Sequence, residues 1–188
     1  AHSRNPLSTV ATITEIYDYL RVLFARVGVP FCPTCHLPIK KVTIDEMADL
    51  VLAENAKRLI KKSGAELNVL APVIRGRKGE YYQLLYDLYN RGFAKVRVDG
   101  KMHRLSEKIV LSRYKAHTIE LVVDTIPANL LIDPSKESRQ RLSEALETAS
   151  VEGQDVAKVI FADDEEREFS TKFSCTTCGF SFPEIEPR

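Results

Sequence analysis

Two Cys-x-x-Cys pairs stand near opposite ends of the chain, Cys32/Cys35 in FCPTCHLPI and Cys175/Cys178 in FSCTTCGFSFP. Two residues between thiolates let a tight turn aim both sulfurs at one tetrahedral ion, and two such turns complete a closed zinc site. If the pairs share an ion, the segment between them must leave and return at one point, as an insertion does on a stem. If they do not, Cys175 and Cys178 take further ligands from elsewhere; the separation of about 140 residues is the weak point of a shared ion, since a compact ribbon uses about 15 to 20. Pro33 stiffens the first turn, and Gly179 supplies the backbone freedom the second needs just after its ligand. A redox dithiol belongs at a helix start, where the dipole lowers a thiol pKa. Cys32 instead follows Gly28-Val29-Pro30, a helix stop, and Cys178 runs into Gly179 and Pro183. Zinc is therefore the expected cofactor, with a thiol-disulfide oxidoreductase as the alternative. His36 is read as solvated.

The compartment matters to that reading. The opening AHSRNP lacks the charged-then-apolar pattern of a signal peptide, and no apolar run is long enough to span a bilayer. A cytoplasmic, reducing setting is the default expectation, in which four cysteines serve metals more often than disulfides. With 27 Lys+Arg against 26 Asp+Glu, the formal charge of +1 gives no global pull towards nucleic acid or membrane. Charged partners must be met by local patches.

Hydrophobic periodicity lays out the elements. Thr12 and Glu15 form a capping box for a helix whose Ile13, Ile16, Leu20, Leu23, Phe24 and Val27 recur at three and four residues, a stripe expected to join the core, until Gly28 and Pro30 stop it. Thr43 and Glu46 cap a second helix carrying Met47, Leu50 and Val51. LNVLAPVI, 67–74, is a strand whose Pro72 suggests an edge or an end, and RGRKGE after it is a loop. A helix over 80–91 places Tyr82, Leu85, Leu88 and Tyr89 on one side and closes at Gly92. FAKVRV, 93–98, alternates into Asp99-Gly100, a two-residue hairpin signal. HTIELVVDTI is the clearest strand, Asp133-Pro134 opens another helix, and VAKVIFA forms the last strand. The acidic DDEERE, 163–168, reads as a loop or hairpin tip. The expected fold class is α+β, a mixed or antiparallel sheet with helices mainly on one face.

Such a sheet turns its other face to water or to a partner. There Lys95 and Arg97 oppose Val96 and Val98, while Thr118, Glu120, Val122 and Asp124 oppose Ile119, Leu121 and Val123. Read from the residues alone, a solvated face accounts for this mixture. Arg75, Arg77 and Lys78 are candidates for phosphate or DNA contact at the start of the following helix; a glycine-rich surface turn accounts for them equally well, and Glu80 opposes an anion there. No phosphate-binding loop, dinucleotide fingerprint or nucleophile elbow occurs, and His2, His36, His103 and His117 show no catalytic spacing, so no enzyme chemistry is expected within the chain.

The blocks SRNPLSTVATITEIYDYLRVLFARVG, FCPTCHLPI, LAPVIRGRKGE, GFAKVRVDG, HTIELVVD, RQRLSEALETA and KFSCTTCGFSFPEIEPR, in this order, resemble the UvrA family, a component of the bacterial UvrABC excinuclease. The resemblance covers nearly the whole chain and corresponds to an internal piece of the first ATPase half. It implies a parent ABC-type ATPase that binds ATP elsewhere, forms a homodimer, binds damaged DNA and loads UvrB in nucleotide excision repair. It further implies residues 1–41 as stem helix and first zinc knuckle, 42–168 as an inserted UvrB-binding domain, and 169–188 as second knuckle and return to the stem. The mixed-charge face thereby gains a candidate partner, with Lys95, Arg97, Glu120, Asp124 and Thr125 as its contacts. The family often has arginine at the positions of Lys95 and Thr125, and lysine lacks that planar fork. Some members have histidine in place of Cys35, a change that keeps a zinc ligand and argues against a dithiol. The family also carries a further Cys-x-x-Cys beyond the equivalent of Arg188, so the mate of Cys175/Cys178 stays open. Direct DNA contact through Arg75, Arg77, Lys78 and the knuckles is the second reading of function.

Overall fold

In the computed structural model, residues 16–39, 41–58 and 65–172 are described. The capping box at Thr12 and Glu15, His2, and the second knuckle with Cys175 and Cys178 lie outside them. Helix α1 is Ile16–Val27, and α2 is Ile44–Lys57, whose N-terminus carries the expected box: the Thr43 side chain accepts from the Glu46 amide while the Glu46 carboxylate accepts from the Thr43 amide at 2.8 Å. Strand β1 is Glu66–Lys78, α3 Tyr82–Asn90, β2 Lys95–Val98, β3 Lys101–Arg104 and β4 Ala116–Pro127. A 3-10 turn, Ala128–Leu131, leads to α4 (Lys136–Glu152), capped by Ser135, and then to β5 (Val156–Ile160) and β6 (Glu166–Ser170).

Among the described residues the strands form one six-stranded sheet in the order β3-β2-β4-β1-β5-β6, antiparallel at every pairing. The long neighbours β1 and β4 form its spine, because both carry enough β-branched and aliphatic residues to be buried on two sides. Leu67, Val69 and Ala71 of β1, Ile119 and Leu121 of β4, Val96 and Val98 of β2, and Val159 of β5 face α2, α3 and α4 and make the main core with Met47, Val51, Leu88, Leu142 and Leu146. The helices that join the core thus lie on one face, as the periodicity implies. A second, small apolar cluster, Leu70, Val122 and Ile160, lies on the opposite face.

Three expectations about elements change. The acidic stretch is only partly a turn: Glu166–Ser170 pairs along β5, with Ala157 opposite Phe169 and Lys158 opposite Glu168. The anticipated loop RGRKGE is mostly strand, since β1 runs to Lys78 with Arg77 opposite His117. Pro72 sits in the spine, yet pairing of β1 to β5 covers only Asn68 to Leu70, so no β5 partner is sought at the proline.

Candidate functional site

The helix-free face is built around Glu120, a carboxylate only 4% exposed. Strand pairing places Arg97 directly opposite it, and Arg97 Nη1 donates to Glu120 Oε2 at 3.0 Å. From β5, Lys158 Nζ donates to Glu120 Oε1 at 2.7 Å and lies 2.5 Å from Glu166 Oε2 and 3.5 Å from Glu168 Oε1. Arg97 also reaches Glu166, at 2.6 Å. That last contact dictates the shape of the sheet. β2 and β6 are separated by β4, β1 and β5, four steps of about 4.8 Å, which no arginine–glutamate pair bridges on a flat sheet. The sheet must curl towards this face, and the register shifts at Val69/Leu70, Pro72/Ile74 and Ile74/Arg77 supply the bends. The curl turns an open surface into a trough that buries the ion cluster above Leu70, Val122 and Ile160.

Burial and pairing compete at each charge. Desolvation alone would depress Lys158 and Arg97, but hydrogen bonds and the fields of Glu120 and Glu166 outweigh it, so both pKa values rise. At Glu166 burial pushes the carboxyl up, and the bonds from Lys158 and Arg97 bring it below its ordinary value. Glu168 goes the other way: burial raises it, and the charges of Lys158 and Arg75 offset this only in part. Arg97 and Glu120 are therefore mainly committed to each other and to β5 and β6.

The five proposed partner contacts do not form one patch. Lys95 is exposed at the rim, lining a cleft of about 340 Å³ with Asn68, Met102, Arg104, Glu66 and Glu107. Thr125 shares that side, its hydroxyl donating to Asn68 Oδ1 at 2.9 Å. Asp124 is on the helical face, contrary to the alternation expected from sequence. Val69 pairs with Asp124 but Leu70 with Val122, so Val123 is an extra residue that reverses the pattern beyond it. There Arg141 of α4 donates to both Asp124 oxygens, at 2.7 and 2.8 Å, and this pairing holds the carboxyl below its usual range.

Sequence reasoning missed Lys158, Glu166 and Glu168, together with Arg104, Glu66 and Glu107 on the rim. Lys158 was detectable as the one charge inside VAKVI, where alternation with Ala157 and Val159 sends it to the helix-free side. Arg77 and Lys78 are exposed at the end of β1, whereas Arg75 is half-buried and within the field of Glu168. Glu80 is exposed beyond them, and α3 starts after Tyr81 with no side-chain cap.

The first knuckle has a defined geometry. Phe31 and Pro38 bridge, the Cys32 amide donates to the Leu37 carbonyl at 2.8 Å, and the His36 amide donates to the Cys32 carbonyl at 2.9 Å. His36 takes φ 56°, which closes the turn. The Cys35 amide donates to Cys32 Sγ at 3.3 Å, an interaction that favours a thiolate. Cys32 is buried and Cys35 half-buried. Among the described residues no group of three or more Cys, His, Asp or Glu converges as a metal site.

Comparison with known proteins places these features in a family. Residues 42–163 match the model of the UvrA interaction domain. The chain is 43% identical to UvrABC system protein A of Pseudomonas putida over 189 residues, 99% of this chain and 19% of that protein. It is 43% identical to the protein of that name from Thermus thermophilus, over 99% of this chain and 18% of that protein. The corresponding figures for Neisseria meningitidis are 42%, 99% and 18%. The chain thus spans less than a fifth of the length of these relatives.

Proposed function

The chain belongs to the UvrA family, whose interaction domain it contains, and from that premise we propose that it is the module by which such a protein recruits UvrB during nucleotide excision repair. The observation that carries this is the rim of the trough. Lys95, Arg104, Glu66 and Glu107 present both charge signs beside Asn68 on a helix-free surface, a pattern suited to a polar protein partner. Arg97 and Glu120 brace that rim from beneath. ATP hydrolysis, homodimer formation and recognition of damaged DNA belong, on this reading, to parts of the protein beyond this chain. The setting would be the bacterial cytoplasm; no described helix is long and apolar enough to cross a membrane.

Reversing both rim cations, Lys95→Glu with Arg104→Glu, is expected to weaken UvrB binding in a calorimetric titration by tenfold or more, about 1.4 kcal/mol, with the melting temperature preserved. Unchanged affinity in a folded variant would remove this face from the interaction.

Zinc is the proposed cofactor. The knuckle turn and its amide-to-sulfur bond suit a thiolate ligand pair, so Cys32 and Cys35 would hold one side of the ion, with Cys175 and Cys178 or thiolates beyond this chain on the other. Bound zinc would fix the base of the domain and do no catalysis. Elemental analysis of undenatured protein should find zinc, and Cys32→Ser should lower the content. A metal-free chain with a readily cycling disulfide would instead support an oxidoreductase.

A further inference from the structure

Helix α3 carries an aromatic feature that the proposed recruitment of UvrB leaves unused. Its core side is Leu85 and Leu88, whereas Tyr82, Tyr86 and Tyr89 are 69%, 53% and 49% exposed. At about 100° per residue these three tyrosines fall within roughly 60° of one another, a stripe along the helix. Asp87, the acidic residue of this helix, points about 130° away from the stripe by the same rotation and accepts from Gln83 at 2.8 Å. At its C-terminal end the stripe opens into a cleft of about 710 Å³. Tyr89 and Phe93 supply rings there, Lys95 and Arg104 supply cations, and Asn90 and Ser106 are polar; among the described residues no carboxylate lines it. Arg91 covers the Phe93 ring at 5.3 Å and is itself paired with Glu152.

We propose that this cleft and the stripe leading from it bind single-stranded nucleic acid, with phosphates at Lys95 and Arg104 and unpaired bases against Tyr89, Tyr86 and Tyr82. Exposed rings in series beside cations of one sign are what such strands require, since every base offers a ring face and every linkage a negative charge. The helical rise sets successive tyrosines about 6 and 4.5 Å apart along the axis, a spacing at which neighbouring bases can each meet a ring. A duplex hides its base faces and would reach only the cations. A protein partner of mixed charge is better met at the neighbouring rim, where Glu66 and Glu107 stand beside the same lysine and arginine.

The chain has seven tyrosines, three of them on the stripe, and no tryptophan, so a quench that the tyrosine variant loses reports stacking there. Titration with a twelve-residue oligothymidylate should quench tyrosine fluorescence. Tyr86→Ala with Tyr89→Ala should weaken binding at least about fivefold and remove most of the quench. The slope of log affinity against log salt should be about −1.4 for two neutralised phosphates, and Arg104→Glu should reduce it. These tyrosines are exposed, so an unchanged melting curve establishes that the variant is folded. The proposal is overturned by absence of binding at low salt, by equal affinity of the tyrosine variant, or by duplex binding as tight as single-strand binding. It is also overturned if the tyrosine variant loses UvrB but keeps the oligonucleotide, which would make the stripe a protein surface. Loss of UvrB binding in the rim variant bears on recruitment, and the tyrosine variant bears on this site, so the two readings fail separately.

Discussion

Asp99 and His117 tie the hairpin tip to β4, and they do so with a definite pH window. Asp99 takes φ 49° in the two-residue turn, its Oδ1 accepts the Thr118 amide at 2.8 Å, and its Oδ2 lies 2.7 Å from His117 Nδ1. The hydrogen bond with Asp99 raises the His117 pKa above its ordinary 6.5, and the bond with His117 lowers that of Asp99. A raised imidazole stabilises fully below its unfolded pKa and loses that contribution as pH rises through the folded value; a lowered carboxyl loses its contribution only as pH falls. The melting-temperature difference between the wild type and His117→Gln should therefore be largest near pH 5 to 6 and shrink as pH rises through and above about 6.5. Glu120 illustrates a different dependence. Glu120→Ala leaves Lys158 and Arg97 buried with fewer counter-charges, and should cost about 3 kcal/mol in denaturant unfolding. Of these residues, Arg97 and Glu120 were legible from alternation along their strands. Their pairing with Lys158 and Glu166 was not, because it joins positions far apart in sequence that only a curled sheet brings together.

The connection from α4 to β5 tests the elements against each other. Gly153 ends α4, its amide donating to the Ala149 carbonyl at 2.8 Å. A Cβ there would lie 2.1 Å from the Val156 carbonyl oxygen and 2.9 Å from Pro72 Cδ. Gly153→Ala should thus destabilise the fold by about 1 to 3 kcal/mol, measured as a shift of the urea midpoint. Ser135→Ala, removing the N-cap whose hydroxyl accepts the Ser138 amide at 3.2 Å, should cost about 1 kcal/mol by the same measurement. The start of α4, expected at Asp133-Pro134, is set by Ser135 instead, whereas the box of Thr43 and Glu46, the Asp99-Gly100 turn and most strand alternation were readable because each is a local rule. The Val123 bulge was not: nothing in LVVDT marks where the ladder slips, and that slip sends Asp124 to Arg141. The tyrosines of α3 show the same limit, since residues of one apolar class divide into core leucines and an exposed stripe only once the sheet fixes which side of the helix is covered.

At the scale of the molecule, the main core draws on α2, α3, α4 and all the strands except β3, but on no described residue of α1. Contrary to the expectation that this stripe joins the core, Ile16, Leu20, Leu23, Phe24 and Val27 stay at least 40% exposed among the described residues. A chain trimmed to residues 42–172 should therefore keep a cooperative thermal transition within a few degrees of the full chain and bind a hydrophobic dye more weakly. The sequence by itself determined the class of fold, most of the element order, the knuckle turn and the resemblance to UvrA, because periodicity, caps and turn residues act over a few positions. Only the tertiary structure decided which charges are spent inside the trough and which stand on its rim. That division depends on sheet curvature, bulge register and burial, which arise when segments distant in the chain close on one another.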